Sequence, residues 1–173
     1  MSFLRMKLIK GKDYAYLVEN LWKKEGKSSR QKVKRYVGRV YSFELKEDLN
    51  LGFLLFINEE NIEKYVKSST FMKIIKDLIN WEFYKHGISN TEFNVELETP
   101  IIKRAGREVC IKINDGFLCG VHLERLINFR KAELEEDEDI RGYNLAKVFV
   151  DAGINVPQEV FIKIFERMGG INE

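Results

Sequence analysis

The chain has 173 residues, of which 45% are hydrophobic, 32% charged and 12% aromatic, with a formal net charge of +2. That is ample apolar material for a packed core, which excludes intrinsic disorder and allows one domain or two small ones. No run of about 18 apolar residues occurs, so no membrane span is expected, and two cysteines, Cys110 and Cys119, are too few for a disulfide framework.

The opening "MSFLRMKLIKGK" lacks an apolar stretch followed by a small-residue cleavage site. No signal peptide is read there, and a cytoplasmic location is expected. Gln occurs only at Gln31 and Gln158, while Lys, Glu and Ile are plentiful, a balance that leans toward a thermophile. Charge is spread unevenly. Residues 1–40 hold twelve Lys and Arg against three acids, a surplus of nine positive charges, so the remainder carries −7. Such asymmetry speaks about partners rather than fold.

Residues 5–10 are a short strand candidate. Residues 12–24 follow a partial period of two, with Tyr14, Tyr16, Val18 and Trp22 on one parity and Ala15, Leu17 and Leu21 on the other. Aromatic and β-branched residues at that period predict a strand. Glu25-Gly26-Lys27-Ser28 predicts a turn, and Ser29 to Tyr41 the returning strand. The result is a basic, aromatic β-meander over residues 1–45, too small for much stability alone and therefore expected to pack on the rest. Strict alternation sets Val33, Arg35, Val37 and Arg39 on one face, expected dry, and Lys32, Lys34 and Tyr36 on the other, expected wet.

Residues 46–173 form a mainly helical body. "LGFLLFIN" is a buried strand or helix. Asn58 is expected to cap a helix over "EENIEKYVKSS". Ser69 or Thr70 is expected to cap the next, in which Phe71, Ile74, Ile75, Leu78, Ile79 and Phe83 recur at helical spacing before Gly87 stops it. Strand candidates near 92–114 make a small β-hairpin. Asn114-Asp115-Gly116 is a turn, read as launching a helix over about Val121 to Glu136 in preference to closing a further hairpin. Two helices, "YNLAKVFVDA" and "PQEVFIKIFERM", end the chain. The fold class expected is α+β: a basic N-terminal β-meander packed on a mainly helical body with a small β-hairpin.

The basic meander is the strongest functional lead. Lys and Arg attract phosphate without sequence preference, and aromatic rings stack on unpaired bases. Within it, Tyr16-Leu17-Val18-Glu19, Gly26-Lys27, Arg30-Gln31 and Tyr36-Val37-Gly38-Arg39 follow the order of an aromatic strand, a Gly-Lys step, an Arg-Gln step and a strand ending in Gly-Arg. Residues 14–39 thereby resemble the N-terminal module of insertion-sequence transposases. The resemblance covers this short segment alone, and the family's three-acid catalytic core is not carried over. It implies nucleic-acid contact by Lys27, Arg30, Lys32, Arg35 and Arg39, to which the strand pattern adds Lys34 and Tyr36.

Residues 142–168 have the outline of a DNA-binding helix-turn-helix. Phe149 and Glu159 fall at positions that motif fills with a small and a buried residue, so a packed helical hairpin is expected. Cys119-x2-His122 with Cys110 and His86 supplies four possible zinc ligands at a spacing of no common finger, and Cys110 sits inside apolar "VCIKI"; no metal and no cofactor are expected. Glu108 with Lys112, and Glu44-Leu45-Lys46, only partly match a metal-dependent nuclease pattern. The acidic run at residues 133–139 is read as solvated surface. The function expected is a non-enzymatic nucleic-acid-binding protein, taking DNA or RNA without sequence preference through phosphate contacts, as a possible homodimer with no membrane partner. The alternatives are a protein-interaction adaptor docking an acidic partner, and a small metal-dependent nuclease.

Overall fold

A computed structural model describes residues 2–23, 28–132 and 138–169. The fold is α+β, a mixed sheet with helices. Its elements are β1 (Ser2–Ile9), β2 (Lys12–Lys23), β3 (Ser28–Ser42), α1 (Phe53–Phe56), α2 (Ile62–Ser68), α3 (Phe71–Lys85), β4 (Asn94–Glu96), β5 (Ile101–Arg104), β6 (Arg107–Ile113), β7 (Gly116–Leu118), α4 (Gly120–Ala132), α5 (Glu138–Asp151) and α6 (Gln158–Gly169). The strand order is β1-β2-β3-β6-β5-β4, with β7 also pairing β6. All pairings are antiparallel except β3 with β6, which run parallel.

Local sequence explains most of these elements. Lys10-Gly11 and Ala105-Gly106 close two-residue hairpins with positive φ at both positions, the conformation whose twist matches that of the flanking strands. Thr70 caps α3, its hydroxyl accepting from Lys73 N at 3.2 Å, and Gly87 follows the end of the helix with φ 63°. The cap of α2 is Asn61, whose Oδ1 accepts from Lys64 N at 2.9 Å. The expected cap Asn58 instead adopts a left-handed turn, φ 56°, just after α1. Asn114 stands in a turn that closes the β6–β7 hairpin, which corrects the preference for a turn that launches the helix directly; α4 begins only after β7. The acidic run from residue 133 to 137 lies outside the described residues.

The parallel β3–β6 pair fuses the meander and the body into one sheet. Arg39, Val40, Tyr41 and Ser42 pair with Val109, Cys110, Ile111 and Lys112. Gly38 makes that approach possible. A Cβ there would lie 2.6 Å from the Glu108 carbonyl oxygen, and φ is +144°, so a side chain is barred by both contact and backbone strain. A second close approach seats the α5–α6 connection against the β6–β7 hairpin. A Cβ on Gly116 would fall 2.2 Å from Gly153 N.

The main core unites α1–α6 with Phe93, Ile102, Val109, Ile111, Ile113 and Leu118. A second cluster of Ala15, Val37, Val40, Cys110, Cys119 and Val121, flanked by Leu4, Met6, Leu17 and Phe117, fastens the meander to the body. One charged group is buried within the body. The Glu82 carboxylate is fully enclosed and accepts from Lys85 Nζ (2.9 Å), Asn114 Nδ2 (3.0 Å) and Asn155 N (2.9 Å). It ties α3 to the β6–β7 turn and to the α5–α6 connection. Three donors satisfy the oxygens, as a buried carboxylate requires.

Candidate nucleic-acid interface

The register of the meander decides which side chains share a face. Along β2, Tyr14, Tyr16 and Val18 alternate with Ala15, Leu17 and Glu19. β1 adds Lys7, Arg5 and Phe3 to the first set, and Met6 and Leu4 to the second. On β3 the pairing slips twice, between Ala15 and Tyr16 and between Leu17 and Val18. Val37 and Lys34 are the extra residues at these bulges, and each insertion resets the alternation. Arg39, Tyr36 and Val33 therefore join the tyrosine face, while Arg35 and Lys32 join the face of Leu17 and Glu19.

The sequence-derived face assignment is corrected accordingly. Val33, expected dry, is 47% exposed and shares its face with Tyr36. Val37 is buried in the cluster beneath the meander. Lys32 lies on the opposite face from Tyr36, paired across the strands with Glu19. Period-two reasoning fails here because it assumes a ladder with no insertions.

Around the buried Val18, the tyrosine face is an aromatic, basic surface. The Tyr36 ring stands 6.3 Å from that of Tyr14 and 5.5 Å from that of Tyr16. Lys7 Nζ lies 5.0 Å from the Tyr16 centroid. Arg5 donates to Gln31 Oε1 at 2.5 Å. Toward the body the same face continues into Tyr41, where the Arg39 and Arg104 guanidinium carbons lie 4.7 and 4.3 Å from the ring centroid. Such cation–ring contacts hold charges in place over an aromatic platform. Burial, with help from the neighbouring Tyr14 and Tyr16, pushes the Tyr36 phenol upward, against a smaller opposing pull from the Arg107 charge. Tyr36 thus stays a neutral ring with its hydroxyl intact at physiological pH.

Of the seven residues singled out from the sequence, the six that are described do not form one patch. Tyr36 and Arg39 lie on the tyrosine face. Arg30 is exposed, paired across the strands with Leu21 on the other face. Lys34 at its bulge forms an ion pair with Glu19 at 3.2 Å. Arg35 reaches Glu108 at 3.4 Å, on the side of the sheet facing the start of α4. Lys27 lies outside the described residues. Sequence reasoning missed Arg5, Lys7 and Arg107 as companions of the tyrosine cluster, and Arg104, which lies over Tyr41 and pairs with Glu92. For Arg5 and Lys7 the signal was present, since an antiparallel β1 places odd residues opposite Tyr16 and Tyr14. Arg104 and Arg107 flank the β5–β6 turn and come near only through the parallel β3–β6 pairing.

The other candidate ligands and acids are placed elsewhere. His86 ends α3 with Nδ1 on the Glu82 carbonyl oxygen at 2.8 Å, and His122 Nδ1 sits 2.6 Å from the Phe117 carbonyl oxygen. Each of those imidazoles therefore donates to backbone. Among the described residues no three His, Cys, Asp or Glu side chains gather as a metal centre would require. Glu108 is engaged by Arg35, and Glu44 to Lys46 follow the end of β3 outside any strand. In α5 and α6, Phe149 is buried and Glu159 exposed. No helix among the described residues is long and apolar enough to cross a membrane. Comparison with family models, curated proteins and solved structures returns no match.

Proposed function

We propose that this protein binds nucleic acid, without catalysing its turnover, through the tyrosine face of β1–β3. The observation that carries the reading is the cluster of Tyr14, Tyr36 and Tyr16, side by side on a partly exposed sheet face and bordered by Lys7, Arg5, Arg39 and Arg107. Rings accept unpaired bases by stacking, at about 1–3 kcal/mol per base, and the surrounding cations neutralise phosphates. No enclosed donor and acceptor pattern is needed for this, so the binding is sequence-tolerant and favours single strands of DNA or RNA over duplex.

Titration of labelled single-stranded and duplex oligonucleotides at several salt concentrations tests the proposal. Tighter binding to the single strands is expected, with log affinity falling linearly against log salt. Absence of binding to either at low salt would end it.

A further inference from the structure

Cys110 lies in β6, and Cys119 directly follows β7. The register of that hairpin runs Ile113↔Gly116, Lys112↔Phe117, Ile111↔Leu118; continued one step past the last paired residues, it would set Cys110 opposite Cys119. Opposed residues of an antiparallel pair hold their Cα atoms about 4.5–5.5 Å apart, within the range of about 4.4–6.8 Å that a disulfide spans. Both thiols are free and fully buried in the same apolar cluster, and they share a hydrogen bond.

Their surroundings differ in a chemically useful way. Cys119 occupies the cap of α4, its carbonyl accepting from Leu123 N at 2.9 Å. His122 N also donates to that carbonyl, at 3.1 Å, and the first-turn amides of Val121 and His122 favour the thiolate at the helix end where a Ser or Asp oxygen ordinarily accepts. The positive end of the helix dipole and the Arg35 guanidinium add to this. The Cys110 hydrogen bond first, and then these donors and charges, hold the Cys119 thiol below its usual range against the opposing effect of burial. The Cys110 thiol is pushed up, because it is the donor of that bond and is itself buried.

We propose that Cys110 and Cys119 form an oxidation site, in which a peroxide converts the pair into a reversible cross-strand disulfide, with Cys119 as the attacking sulfur and Cys110 as the resolving one. The Cys119 thiolate attacks one peroxide oxygen and the O–O bond breaks. The departing hydroxide takes up a proton to leave as water, and Cys119 becomes a sulfenic acid. The Cys110 sulfur then attacks the Cys119 sulfur. The S–O bond breaks, the Cys110 proton leaves with the hydroxide as a second water, and the disulfide remains. Two electrons pass from the sulfurs to the peroxide, and a thiol reductant reverses the step. Leu4, Met6 and Leu17 of the meander flank the cluster.

The test is hydrogen peroxide treatment of the folded, full-length chain, followed by alkylation and peptide mapping. The expected product is a dithiothreitol-reversible link between the Cys110 and Cys119 peptides, with neither cysteine alkylated. In Cys110→Ser a sulfenic-acid trap should label Cys119, and in Cys119→Ser it should leave Cys110 unlabelled. If the folded wild-type chain keeps both thiols alkylatable while a guanidinium-unfolded control is oxidised, the site does not exist. Oxidation that yields only intermolecular disulfides or sulfinic acid would equally overturn it.

Discussion

The same sheet face meets opposite surroundings in two parts of the molecule. In the body, Val109, Ile111 and Ile113 lie in the main core with the helices. Across the β3–β6 junction that face carries Arg39, Tyr14 and Tyr16, partly exposed, and Tyr36 and Lys7, exposed. The reverse face shows the complementary switch. Leu4, Met6, Ala15 and Leu17 lie against Val121 and Cys119 at the start of α4, and Arg125 of α4 donates to the Ser2 carbonyl oxygen at 3.0 Å. A sheet needs one dry face. Exchanging the covered side at the junction frees a continuous aromatic surface in the meander, without leaving that part of the sheet unsupported.

Substitutions at the meander's two valines should separate its faces most sharply. Val37→Asp places an unpaired carboxylate in the cluster that fastens meander to body, and the expected loss is about 4 kcal/mol or more. Val33→Asp, on the open face, should change stability by no more than about 0.5 kcal/mol. Guanidinium unfolding of the two variants checks this, and equal losses would refute the face assignment. In the body, Glu82→Ala should cost about 3–5 kcal/mol, because it strips partners from Lys85, Asn114 and the Asn155 amide at once. At the junction, Gly38→Val should cost about 3 kcal/mol through the contact with the Glu108 carbonyl and the disallowed φ. Loss of amide protection in β3 beyond that of β5 would locate the damage there.

The smallest effect concerns pH. Burial lowers the affinity of His122 for a proton below its ordinary value of 6.5, so the folded state holds the neutral ring. Above pH 6.5 this costs nothing. As pH falls below it the unfolded chain takes up the proton first, and stability declines by up to about 1.4 kcal/mol per pH unit until the folded ring titrates. His122→Gln should therefore show a flatter stability profile between pH 7 and 5.5 than the wild type, as measured by thermal unfolding. Parallel profiles would remove His122 as the cause.

Legibility in the sequence followed the range of the interaction. α3 could be read outright, because its apolar stripe, Thr70 cap and Gly87 stop are all local. The cap of α2 was displaced from Asn58 to Asn61, since both residues offer the same side chain and only the chain path decides. Glu82 stands on the apolar stripe of α3, three residues after Ile79 and four after Leu78. That position was itself a signal of a buried carboxylate, although its partners Asn114 and Asn155 come from distant turns. The bulges at Lys34 and Val37 left no comparable mark, because nothing in "KVKRYVGR" distinguishes an inserted residue from a paired one. Gly38 did stand out in the closing Gly-Arg step of β3, and the structure supplies its physical reason: β3 approaches β6 too closely there for any side chain.

The tyrosine face is the proposed place of nucleic-acid binding. The most direct measurement compares single-stranded oligonucleotide binding by the wild type with that by a Tyr14→Ala, Tyr16→Ala, Tyr36→Ala variant and by a Lys32→Glu, Lys34→Glu variant. Folding of each is verified by circular dichroism. The tyrosine variant should bind at least about tenfold more weakly, from the loss of one or more stacked bases at about 1–3 kcal/mol each. The lysine variant, altered away from that face, should lose far less. A folded tyrosine variant that binds as the wild type does, while the lysine variant fails, would contradict the account and move the interface to the opposite side of the sheet.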